Sequence, residues 1–159
     1  MRIQITTTIN GRARELLVKP NETLLEILRS ELHLKGTVEG CGVGVCGSCT
    51  VLVDGQPVSS CLMLSTNVEG KSVTTIEGLA RGDRLDPVQE AFLKYQAFQC
   101  GYCTSGMIMA TKALLESNPH PSEEEARDYL SGNLCRCGTY AEILAAIEEL
   151  SKKPGEIHE

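Results

Sequence analysis

The sequence predicts an α+β protein in two parts, a strand-rich first half and a helical second half. Three observations carry that expectation. Alternating β-branched segments flank Asn-Gly and Asp-Gly turns in the first half, four short helical segments follow residue 86, and eight cysteines fall into two sets of four.

In the first half, "RIQITTTI" alternates and is rich in β-branched residues, Asn10-Gly11 is a two-residue hairpin turn, and "RARELLVK" returns as a second strand. Pro20 and Asn21 end it. Thr23 with Glu26 forms a capping box, and Leu24, Leu25, Ile27, Leu28 and Leu32 supply the apolar face of a helix of roughly ten residues. After a loop crowded with glycine and cysteine, "TVLVDGQPV" turns at Asp54-Gly55 as another hairpin, and "KSVTTI" is the last strand. One helix packed across a small mixed sheet is the expected result.

Gly78, Gly82 and Pro87 interrupt the pattern in "EGLARGDRLDP", which sets expected boundaries: a first domain over 1–77, a linker over 78–85, a second domain over 86–150 and a tail over 151–159. Asp86, Pro87 and Gln89 open one helix, and a second spans about Thr104 to Ser117 before "NPHP". Ser122 with Glu125 caps a third and Thr139 with Glu142 a fourth. Four short helices with brief connections predict a bundle.

Composition narrows the function. With 159 residues, 42% of them hydrophobic, the chain can bury a core. A net charge of -6 with scattered basic residues argues against nucleic acid, and so do an absent Trp and only two Phe. "MRIQITTTIN" has no apolar signal region and no later run is long enough to cross a bilayer, so a cytoplasmic location without membrane insertion is expected. There, ordinary thiol pairs stay reduced, which points the cysteines toward metal or redox use and away from disulfides.

The first set, Cys41, Cys46 and Cys49 with the more distant Cys61, has the C-x4-C-x2-C…C spacing of a plant-type [2Fe-2S] site. Gly40, Gly42, Gly44 and Gly47 surround it, as a tightly wound loop aiming its N–H groups at an anionic centre requires. A zinc site, whose thiolate pairs usually sit two to four residues apart, is the competing reading. The second set, Cys100, Cys103, Cys135 and Cys137, is less diagnostic by spacing, since C-x2-C also serves zinc and thioredoxin-like chemistry. Each of its pairs precedes a helix, whose N-terminal N–H groups and dipole favour accepting an electron.

In their order, "GCGVGVCGSCTVLVDG", Cys61, "TIEGL", "QCGYCTSGMIM" and "GNLCRCGTY" closely resemble the small iron-sulfur subunit of the molybdenum hydroxylases, the xanthine dehydrogenase and aldehyde oxidoreductase family. The resemblance runs from the first strand to about Leu150. It implies a ferredoxin-like β-grasp domain followed by a four-helix bundle domain, each with one [2Fe-2S] cluster. Cys41, Cys46, Cys49 and Cys61 would hold the cluster nearer a flavin; Cys100, Cys103, Cys135 and Cys137 would hold the one nearer a molybdopterin. Gln99 and Cys137 resemble positions that touch the partner's pterin. The implied role is single-electron relay between the molybdenum cofactor of a large partner and the FAD of a medium partner, or another acceptor. No substrate site is expected on this chain.

Other features read blandly. His33, His120 and His158 are scattered, and Rieske-type ligation would need two beside paired cysteines. Arg136, between two cysteines, either offsets cluster charge or faces solvent. Met107 and Met109 read as core, and Glu123 to Glu125 as a solvated helix start. Gly42 to Ser48 and Gln99 to Tyr102 are the expected contact surfaces. A zinc-stapled interaction module and a free-standing two-cluster ferredoxin stay open as rival readings.

Overall fold

A computed structural model describes residues 1–152. Strands β1 (Ile3–Ile9) and β2 (Arg12–Val18) form an antiparallel hairpin in register from Ile3↔Val18 to Ile9↔Arg12. Asn10 and Gly11 take φ of 50° and 74°, the positive pair that a type I′ turn needs. Strands β3 (Thr50–Val53) and β4 (Gln56–Ser59) repeat the device, with Asp54 and Gly55 at 50° and 80°. Strand β5 (Ser72–Thr74) is shorter than "KSVTTI" predicts. It pairs parallel to β1 and antiparallel to β3, which completes a mixed five-stranded sheet in the order β2-β1-β5-β3-β4.

Thr23 makes both bonds of its capping box with Glu26 and opens helix α1 (Leu24–Glu26). The expected ten-residue helix is not regular, because the chain widens into a π turn over Ile27–Glu31. Arg29 holds the exit: its Nη1 donates to the Lys35 and Thr37 carbonyls at 2.9 and 2.6 Å, and directs the chain into the cysteine loop. Leu24, Ile27 and Leu28 are still fully buried against Ile5, Val51, Val53 and Val73 of the sheet.

Helices α2 (Pro87–Lys94), α3 (Thr104–Ser117), α4 (Glu123–Tyr129) and α5 (Tyr140–Ser151) make up the second half. Asp86 with Gln89 and Ser122 with Glu125 form the expected capping boxes. Thr139 does not: its side chain makes no cap bond, because the hydroxyl lies against the Cys135 sulfur instead. Phe92, Met107, Leu115, Ile143 and Ile147 fill a second core, so Met107 is the packing residue expected. The remainder of the expected tail beyond Lys152, with His158, lies outside the described residues.

Strand β3 joins the halves. All four of its residues are buried: Val51 and Val53 face the α1 side, while Leu52 on the other face packs on Met109 and Ala113 of α3. The period-2 pleat makes one four-residue strand serve two cores. The fold is therefore α+β, with the sheet covered by α1 on one side and by α3 on the other. No helix among the described residues is long and apolar enough to cross a membrane.

Candidate metal centres

Cys41, Cys46 and Cys49 lie on the loop that leaves the π turn and returns as β3, and Cys61 follows β4. At Gly44, φ is +75°, a conformation that favours glycine, and the loop lies over Leu62, the residue that follows Cys61. Cys41 Sγ accepts the N–H groups of Val43 at 3.4 Å and Val45 at 3.3 Å. The Val43 N–H is the largest influence lowering the Cys41 thiol to about 6, and the Cys46 thiol also donates to it. Cys49 and Cys61 lie deeper, against Leu25. Burial pushes Cys61 up to about 11, and its thiol donates toward Cys49.

The second set spans the starts of α3 and α5. Cys103 is the N-cap residue of α3, and burial pushes it up to about 12 while its thiol donates toward Cys135. Burial alone would raise Cys135 as well. It is outweighed by the Thr139 hydroxyl and N–H, the Cys103 thiol and the Gly138 N–H, which leave Cys135 lowered to about 7. Cys100 is lowered by the Tyr102 N–H and by the Cys137 thiol. Cys100 and Cys137 are exposed.

All eight cysteines are free thiols, and they stand in pairs: 41 with 46, 49 with 61, 100 with 137, and 103 with 135. Among the described residues no three His, Cys, Asp or Glu close on a point that one metal ion would fill. A tetrahedral zinc site wants four donors around a single ion, whereas a binuclear centre takes two thiolates per metal, which thiols standing in pairs can supply. The donor set, the bonded N–H groups and the lowered Cys41 and Cys135 thiols all fit an anionic cluster.

The two loops touch. Asn133, buried, donates from Nδ2 to the Gly47 carbonyl at 3.0 Å, and the Leu134 N–H donates to the Cys46 carbonyl at 2.9 Å. A Cβ on Gly106 of α3 would sit 2.2 Å from the Gly47 oxygen, so the helix start rests directly on the first loop. Tyr102 Oη donates to the Glu39 carbonyl, and Tyr140 Oη accepts the Cys135 N–H at 2.8 Å.

Sequence reading names every cysteine but misses Gly106, Asn133, Tyr140 and the role of Thr139. Each acts through a contact with the other half or with a loop, which local patterns do not encode. Gly47 and Ser48 are buried under α3 and Asn133, so the expected contact surface Gly42 to Ser48 shortens to Gly42–Val45, where Val43 and Val45 are 63% and 61% exposed. Gln99 and Tyr102 are exposed, as is Arg136. His120 Nδ1 lies 2.7 Å from the Ser151 carbonyl, which fits a structural use.

Two family models cover most of the chain: a 2Fe-2S iron-sulfur cluster binding domain over residues 7–79 and a [2Fe-2S] binding domain over residues 75–148. The nicotine 6-hydroxylase small subunit of Paenarthrobacter nicotinovorans is 46% identical over 156 residues, 98% of this chain and 92% of that one. The aldehyde oxidoreductase iron-sulfur-binding subunit PaoA of Escherichia coli is 46% identical, with 96% of this chain and 72% of that one matched. The crystal structure of quinoline 2-oxidoreductase from Pseudomonas putida 86 superposes with a TM-score of 0.92 at 44% identity, covering 98% of both chains.

Proposed function

Because the chain belongs to the family of small [2Fe-2S] subunits of the molybdenum hydroxylases, we propose that its eight cysteines hold two clusters which relay single electrons between centres on partner subunits. Cys41, Cys46, Cys49 and Cys61 ligate one, in a ferredoxin-like β-grasp domain over 1–77. Cys100, Cys103, Cys135 and Cys137 ligate the other, in a four-helix bundle domain over 86–150 reached through the linker 78–85. The match of both halves to [2Fe-2S] binding domains, with the thiols standing in pairs within each half, is what carries this reading.

When bound, a [2Fe-2S] cluster would supply one-electron redox chemistry. The protein's own residues do the rest. The Val43 and Val45 N–H groups stabilise negative charge at Cys41, and Leu25 keeps water from Cys49 and Cys61. The Leu134 to Cys46 hydrogen bond joins the backbone of one ligand to the neighbour of another, so the two loops keep a fixed separation. Exposed Cys100 and Cys137, with Gln99, face outward where a molybdopterin on a large subunit would approach. Exposed Val43, Val45 and Leu62 form an apolar rim at the first loop that suits a medium FAD subunit or another acceptor. Substrate chemistry belongs to the partners, and the related nicotine, quinoline and aldehyde enzymes indicate a heteroaromatic or aldehyde substrate class.

The test is elemental and labile-sulfide assay of the complex purified anaerobically, with EPR of the reduced sample. Iron and sulfide in the ratio two [2Fe-2S] centres require, together with two EPR signals, are expected. Zinc without sulfide would overturn the assignment.

A further inference from the structure

Four helices open on a Ser, Thr or Asp with Glu or Gln three residues on, yet one of these residues does something different. Thr23, Asp86 and Ser122 have extended backbones, with ψ of 157°, 144° and 163°, and each completes its capping box. Thr139 has φ −77° and ψ 23° and its side chain bonds to no helix N–H. Its Oγ1 lies 3.1 Å from Cys135 Sγ, with Thr139 2% and Cys135 8% exposed. The first backbone bond of helix α5 is kept, since the Thr139 carbonyl accepts the Ile143 N–H at 3.1 Å.

Resting on the reading of Cys135 as an iron ligand, we propose that the Thr139 hydroxyl donates to the ligating Cys135 sulfur and raises the reduction potential of the second cluster. A metal-bound thiolate carries no proton, so the hydroxyl must be the donor in this pair. One-electron reduction adds a negative charge that spreads onto the ligating sulfurs. A donor to such a sulfur stabilises the reduced form more than the oxidised one, and burial keeps water from screening or replacing the bond. At the first set, Cys41 takes its hydrogen bonds from the backbone N–H groups of Val43 and Val45, which a side-chain exchange leaves in place. Thr139 is a side-chain donor, and one substitution removes it. It is a positioning residue in that it acts on the cluster through Cys135.

The test compares T139V, isosteric but without the hydroxyl, with T139S, which restores it, in the intact complex. Both EPR signals are followed through a dithionite titration, and the signal that survives in C49S identifies the second cluster. T139V is expected to shift the one-electron equilibrium of that cluster toward oxidised by roughly tenfold, about 59 mV downward. The first cluster should not move, and T139S should return the wild-type value. A purely structural role would change the melting temperature and leave the potential alone. Should T139V fail to retain the second cluster, T139A replaces it, and equal potentials in T139A and T139S would overturn the inference. Two normal signals with an unmoved potential in T139V would do the same while leaving the ligand assignment standing. Absence of any iron-sulfur signal in the wild-type complex would instead overturn the assignment on which the inference rests.

Discussion

The Leu134 N–H donates to the Cys46 carbonyl across 2.9 Å, which ties the backbone of the first cysteine loop to the residue before Cys135. Asn133 reinforces the joint through the buried Gly47 carbonyl at 3.0 Å. Asn133→Ala removes one donor to that carbonyl, which keeps the Thr50 hydroxyl at 2.7 Å, and should cost about 0.5–1.5 kcal/mol in urea unfolding. Gly106→Ala at the same joint must push α3 off the Gly47 oxygen, with a cost of about 1–3 kcal/mol or more. An unchanged midpoint in both variants would show that the loops are held elsewhere.

Cys49 is 2% exposed and pairs with Cys61. Cys49→Ser should erase one EPR signal of the reduced complex and spare the other, because the second set shares no ligand with the first. Joint loss of both signals in a folded sample would contradict the division into two sites.

Lys112 on α3 reaches Asp86 Oδ2 at 3.0 Å, and both side chains are only 10% exposed. Asp86 also caps α2 by accepting the Val88 N–H at 2.9 Å. Lys112→Met strands a buried carboxylate and is expected to destabilise by about 3–5 kcal/mol. Adding Asp86→Asn should recover part of that loss in a double-mutant cycle; strict additivity would mean that the pair is not coupled.

Glu26 is held below the usual carboxylate range, first by the Thr23 N–H and then by the Thr23 hydroxyl. A lowered folded pKa stabilises fully above the unfolded value and is lost as pH falls through the folded one. Acid titration of stability should therefore show a Glu26 component below the ordinary Glu range. In Glu26→Gln that component should vanish while the box geometry persists. Thr23→Ala removes the cap itself, for about 1 kcal/mol at neutral pH.

Features written within a few consecutive residues are legible in the sequence. The boxes at Thr23, Asp86 and Ser122 and the turns at Asn10-Gly11 and Asp54-Gly55 all form as their residues dictate. Cysteine spacing likewise divides the eight thiols into two sets of four. What escapes is set by distant partners: Asn133 meets Gly47 across 86 positions, and Gly106 is required by a loop in the other half of the chain. Thr139 shows the limit of the local rule. Its pattern matches a cap, yet the sulfur of Cys135 takes the hydroxyl.

Strand β3 gives Val51 and Val53 to one core and Leu52 to the other. A chimaera that grafts the helical half of one relative onto the strands of another must therefore match side-chain volumes across Leu52, Met109 and Ala113, or aggregate through an uncovered sheet face.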